Sequence, residues 1–218
     1  MNILKKPMLR IITVLIALVV GGLLSSALFA LTGFSLLGGL PDDSLSASDP
    51  DNSELIQFAY GVLDCISNND YQALSSFVHP EFGVVFSPCA TITLTTNRRF
   101  TVEQVAAFSE DNDFYVWGVR DGSGEPIERT PAEYFEEFVN FRDFSSAPIV
   151  GVNYIVRSGN ALENITDVFS DVQFVDFHYP NGDKNSVSEQ KWATLRLGFE
   201  EHNDIMWLTV VLRSVWTE

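Results

Sequence analysis

After Lys5, Lys6 and Arg10 the chain runs for thirty positions, Ile11 to Leu40, without a charged side chain. A helix needs about 20 apolar residues to cross a bilayer core, and Ile11–Leu31 meets that length. Basic residues stay cytoplasmic, so the pattern predicts a cytoplasmic stretch over 1–10, a membrane anchor over 11–37 and everything after it outside. A cleavable signal is the rival reading, with Ser25-Ser26-Ala27 as the small-residue site. The apolar run continues past that site through Leu28, Phe29, Leu31, Phe34 and Leu36, which favours the uncleaved anchor. No cysteine lies near residue 27 to carry a lipid.

The rest of the chain has the opposite character. All 29 acidic residues follow Pro41, where only ten of the thirteen basic residues lie, so this part carries a net charge of −19. Such a surface repels phosphate backbones, and nucleic acid is not an expected partner. The anionic residues keep a globular domain dispersed. Residues 38–50, rich in Asp, Ser and Pro, are expected to form a flexible acidic linker. From there 51–218 has the length of one ordinary domain.

Within that domain, Leu55, Phe58, Ala59, Val62, Cys65 and Ile66 follow helical spacing and predict a buried stripe. Asp70 caps a second helix over Tyr71–Val78. Phe82, Val84 and Phe86 alternate as in a strand, with the β-branched run Thr91–Thr95 expected beside it. Two capping boxes, Thr101…Gln104 and Thr130…Glu133, start helices over Val102–Ser109 and Pro131–Asn140. Phe114–Arg120 and Ile149–Val156 read as strands, and Asn160…Glu163 as a helical turn. Val172–Tyr179, Trp192–Glu200 and Ile205–Val215 read as long strands, joined by the turns Asn181-Gly182-Asp183 and Glu201–Asp204. In the second of these, Ala193, Leu195, Leu197 and Phe199 take one face, and Thr194, Arg196 and Glu200 the other. Early helices and a late meander predict an α+β fold: an N-terminal transmembrane helix, then one cone-like domain of short helices on a curved antiparallel sheet.

The helix, the break Ser67-Asn68-Asn69-Asp70, the second helix and Val78-His79-Pro80-Glu81 before a strand resemble the opening of the nuclear-transport-factor-2-like superfamily. Three stretches, Phe77–Pro88, Trp117–Ile127 and the ending Trp216-Thr217, resemble a family of secreted or lipid-anchored bacterial proteins with no assigned activity. This chain departs from the lipid-anchored members by carrying an apolar helix in place of a lipid-bearing cysteine. The resemblance implies a pocket between helices and curved sheet. In relatives that pocket serves isomerases, polyketide cyclases, plain binding or dimerisation.

No phosphate loop, zinc helix or nucleophile elbow occurs, and neither cofactor nor metal is expected. Asp121-Gly122-Ser123-Gly124-Glu125 reads as a turn, since a Ca²⁺ loop needs more ligands. Asn164-Ile165-Thr166 fits the short glycosylation pattern. Asp176 and His178 share a strand face, with Arg196 on the polar face of a strand expected nearby; Arg213 on the last strand faces the same way only if the register permits. Asp176, His178 and Arg196 are the candidate acid–base set, against the plainer reading of cross-strand ion pairs on an exposed sheet face. His79, Tyr115 and Trp117 are the candidate ligand contacts. Cys65 and Cys89 are expected to form a disulfide, which the outside of a membrane permits, with two buried free thiols acting as small hydrophobes as the alternative. Three functions stay open. The first is a membrane-anchored binding module for a small apolar ligand or an envelope protein. The second is a hydrolase or isomerase working through Asp176 and His178. The third is a subunit that forms a homodimer through its sheet face.

Overall fold

The computed structural model describes residues 50–120, 122–180 and 192–216. All of them belong to the unit Leu45–Glu218. The expected anchor (11–37), residues 38–49 of the expected linker (38–50) and the turn Asn181-Gly182-Asp183 lie outside the described residues, while Pro50 opens a helix. Among the described residues no helix is long and apolar enough to cross a membrane.

The fold is α+β. Helix α1 (Pro50–Ser67) leads into α2 (Tyr71–Ser75), β1 (Val84–Ser87), β2 (Arg98–Phe100) and α3 (Val102–Ala106). The hairpin β3 (Tyr115–Val119) and β4 (Pro126–Arg129) precedes α4 (Pro131–Tyr134), which continues as a π-helical turn, Phe135–Val139. Then come β5 (Ile149–Val152), α5 (Ile165–Val168), β6 (Gln173–Tyr179), β7 (Ala193–His202) and β8 (Ile205–Val215). Six strands form one curved sheet in the order β2-β1-β8-β7-β6-β5, and β3–β4 stands apart. The expected antiparallel sheet is in fact mixed, because β1 runs parallel to β8 through Val85↔Val210, Phe86↔Val211 and Ser87↔Leu212. The continuous run Val84-Val85-Phe86-Ser87 suits that interior place, since both of its faces are buried.

Local signals hold where expected. Both capping boxes form, with Thr101 accepting from the Gln104 N–H and Thr130 from the Glu133 N–H. The Asp70 carboxylate accepts from the Ala73 N–H at 2.9 Å. The β7–β8 hairpin turns on Asn203 and Asp204, both at positive φ, between His202 and Ile205.

Elsewhere, tertiary contacts shorten or replace the expected elements. Helix α2 stops at Ser75 because the next residues are drawn onto β8: the Leu208 N–H donates to Phe77 O and the His79 N–H to Leu208 O. Thr91–Thr95 forms no strand. Its Thr93 N–H donates to Asn97 Oδ1 at 2.6 Å and the Asn97 N–H returns to Thr93 O, a side-chain-locked turn. The partner of β1 is instead Arg98–Phe100. Gly83, at φ +82°, makes that pairing possible, as a Cβ there would lie 2.2 Å from Phe100 O. No turn of helix forms at Asn160–Glu163; α5 begins at Ile165.

The main core lies between helices and sheet. It combines the α1 stripe (Leu55, Ala59, Val62, Leu63, Ile66) with Val175, Phe177, Leu195, Leu197, Phe199 and Val211. The opposite face of the sheet is also covered. Ile165, Phe169 and Ile92 pack with Val85, Phe174, Val210 and Leu212 in a second, smaller core. The face expected to be exposed is therefore buried, because the segment between β5 and β6 folds back over it.

Candidate functional site

Asp176 and Arg196 are direct partners on β6 and β7. Both are fully buried, and they meet through two hydrogen bonds, Nε–Oδ1 at 2.5 Å and Nη2–Oδ2 at 3.0 Å. Glu163 from the covering segment takes the remaining side of the guanidinium at 2.5 Å, and the Val156 N–H donates to Asp176 Oδ2. Two residues along, His178 bonds Thr194 Oγ1 through Nδ1 at 2.7 Å. Burial holds the His178 imidazole below its ordinary range, offset in part by Asp176 and reinforced by Arg157. The structure thus brings the expected trio together, but under a covering segment and with the Asp176 carboxylate committed to structural bonds. This is a clasp that fastens residues 156–163 to the sheet.

The residues expected to contact ligand have structural duties. Trp117 is fully buried, stacks on Tyr134 at 3.8 Å and donates Nε1–H to Arg129 O. The Tyr115 hydroxyl donates to Asp111, and its ring lies under the Arg98 guanidinium at 4.8 Å. His79 Nδ1 accepts the N–H groups of Glu81 and Phe82 and so caps a turn, with its ring 4.9 Å from that of His202. The expected disulfide is absent: Cys65 and Cys89 both remain thiols. Cys65 is buried in the helix-side core, whereas Cys89 lies at a cavity past the end of β1, so the two serve different surroundings. Asn164 is likewise committed: its amide donates to Ile92 O and accepts the Ile92 N–H, which leaves the side chain poorly placed for a glycan.

That cavity is the better site. Pairing between β1 and β8 ends at Ser87↔Leu212, and Pro88 leads the chain away. A hollow of about 160 Å³ is left beside the last residues of β8, lined by Arg213 and by Cys89, Val119, Arg120, Ile127 and Phe138. The π-helical turn, closed by the Asn140 N–H on Phe135 O, belongs to this wall. Such turns recur at functional sites. Past Cys89, Val119 and Arg120 lies a groove of about 390 Å³ bearing Thr91, Thr93, Thr96 and Asn97.

Arg213 sits on the helix-side face of β8, its guanidinium 5.3 Å from the Phe138 ring centre and 5.0 Å from that of Phe141. Its Nε–H is buried with no acceptor, and among the described residues no carboxylate forms an ion pair with it. Burial pulls this guanidinium below the ordinary arginine range, with Tyr134 and Glu137 opposing and Arg120 adding to the shift. Glu137 is engaged elsewhere, with Arg120 at 3.2 Å and Arg129 at 2.8 Å. The sequence allows Arg213 to join the acid–base trio only if the register of the last strand permits. The structure instead puts it on the other face, because neighbouring residues of a strand point to opposite sides and Arg213 pairs in register with Leu195, not Arg196. No signal in the sequence joins Arg120 and Cys89 to it as one site. Their convergence depends on how the β3–β4 hairpin folds against β8.

No protein-family profile matches the chain, and neither does any curated protein. Solved structures similar to it include the following three. Aln2 from a Streptomyces species is 9% identical, with a TM-score of 0.37, over 77% of this chain and 92% of its own. A proposed calcium/calmodulin-dependent protein kinase II association domain from Xanthomonas campestris is 14% identical, with a TM-score of 0.34, over 86% and 99%. A proposed polyketide cyclase from Xanthomonas campestris pv. campestris is 9% identical, with a TM-score of 0.31, over 76% and 91%. Scores this low carry no assignment of activity, and the site is read from its own chemistry.

Proposed function

We propose that this protein is a membrane-tethered binding module whose nuclear-transport-factor-2-like domain captures a small molecule in the Arg213 cavity, outside the cytoplasm. One observation carries the binding role: half-buried Arg213, with a buried, unpaired Nε–H and no carboxylate partner among the described residues, lines a hollow that is part apolar and part cationic. A desolvated charge is costly unless paired, and no carboxylate among the described residues forms an ion pair with this one. The uncharged run Ile11–Leu40 supports the tether and the side of the membrane.

Acid–base turnover through Asp176 and His178 is the weaker reading. A general base must reach the proton that it removes, and Asp176 already accepts from Arg196 and Val156. Dimerisation through the sheet face would require the covering segment to leave Val85, Phe174 and Leu212.

The test is native mass spectrometry of the full chain extracted from membranes in mild detergent. A reproducible small adduct that disappears in R213M supports capture at the cavity. An adduct retained in full by R213M places binding elsewhere. For the tether, protease added to intact cells should degrade the domain, and full protection, with surface access verified, would overturn the topology.

A further inference from the structure

We infer that the cavity is built for a small organic carboxylate, its acid group held in the fork of Arg213 and its carbon chain against Phe138, Ile127 and Val119. This rests on the binding reading above and specifies its ligand. Two arginines, Arg196 fully buried and Arg213 half-buried, make the case by contrast. Arg196 has carboxylates on three of its nitrogens. Arg213 has aromatic rings beside it, an unpaired Nε–H, and open space in front of it.

Charge at this corner adds to the same conclusion. Arg213, Arg120 and Arg129 surround a single carboxylate, Glu137, which pairs with the second and third of them. Among the described residues the corner therefore keeps an excess of positive charge inside an otherwise acidic domain, and an anion entering it relieves the excess. The planar guanidinium fork matches a carboxylate through two parallel N–H···O bonds. The lining selects among anions. An inorganic phosphate would leave Ile127, Val119 and the Phe138 ring facing a wholly hydrophilic ion, whereas a carbon chain covers them. Size limits the chain: about 160 Å³ equals the liquid share of roughly five waters at ~30 Å³ each, enough for an acid of four or so carbons.

The experiment titrates the full chain in detergent micelles with sodium butyrate, butyramide and sodium phosphate at constant ionic strength, followed by ligand-observed NMR. Butyrate should bind at least tenfold more tightly than butyramide, its neutral isostere, and than phosphate. R213M should lose at least tenfold in butyrate affinity while its unliganded melting temperature stays equal or rises, since a half-buried charge with an unpaired Nε–H has been removed. R213K, which keeps the charge but not the fork, should lose at least threefold, and it stands in should R213M fail to fold. Equal binding of butyrate and butyramide overturns the anionic class but leaves a pocket that binds. Tighter binding of phosphate overturns the carboxylate. Binding of none of the three overturns both the ligand class and the pocket reading.

Discussion

Asp176 faces Arg196 across neighbouring strands, and each uses two atoms to hold the other, at 2.5 and 3.0 Å, with no solvent access to either side chain. The pair anchors more than the strands: through Glu163 and the Val156 N–H it pins the segment that closes the second core. Removing one partner of such a buried pair strands the other charge, at a cost of about 3–5 kcal/mol. D176N should therefore lower the stability of the domain by that amount, measured as a shift of the urea midpoint, and hydrogen exchange should accelerate first across residues 153–169. A loss below about 1 kcal/mol would mean that the clasp does not hold the segment.

The π-helical turn that carries Phe138 begins directly after α4, whose start depends on Thr130. Its hydroxyl accepts the Glu133 N–H while the Glu133 carboxylate accepts the Thr130 N–H at 2.9 Å. T130A should cost about 1 kcal/mol, the usual worth of a threonine cap. Denaturant unfolding measures it, with T101A, the matching cap of α3, as an internal comparison.

The two cysteines provide a direct chemical check. Both are thiols, Cys65 buried and Cys89 partly open beside the cavity. Burial, with Asp70 and Asp64, pushes the Cys65 thiol up, so it stays protonated and slow to react. Without reductant, a maleimide should add once to the native protein, at Cys89, and a second time only in denaturant. A native protein that takes up no label before reduction would show a bridge instead.

Stability should fall on mild acidification. Burial depresses the folded-state affinity of His79 and of His178 for protons, while the unfolded chain takes up protons near the ordinary histidine value of about 6.5. A depressed folded value means that the unfolded state binds more protons as pH drops below that point, so the stabilisation present above it is progressively lost. The urea midpoint should be lower at pH 5.5 than at pH 7.5, and the difference should shrink in H178Q. Glu200 works the other way, since burial raises its carboxyl, and comparisons are cleanest above its range. An unchanged midpoint between the two pH values would contradict the burial of the imidazoles.

Sequence alone determined the features that arise from short-range chemistry. The α1 stripe, the Asp70 cap, both capping boxes and the β6–β8 strands follow from spacing and from side-chain oxygens placed within a turn of the groups they satisfy. The α+β class follows from the same signals. Only the tertiary structure decided the parallel β1–β8 pairing, the early end of α2 at the edge of β8, and the loss of a strand at Thr91–Thr95 to Asn97. It also decided the burial of both sheet faces. An alternating strand states that its faces differ but not what will cover the polar one, and here Glu163 arrives from 33 residues away to make that face an interior. The site obeys the same logic: the chain displays three arginines at 120, 129 and 213, and folding alone determines that Glu137 satisfies two of them and leaves Arg213 open to the cavity. Partners so distant in sequence leave no periodic trace in it.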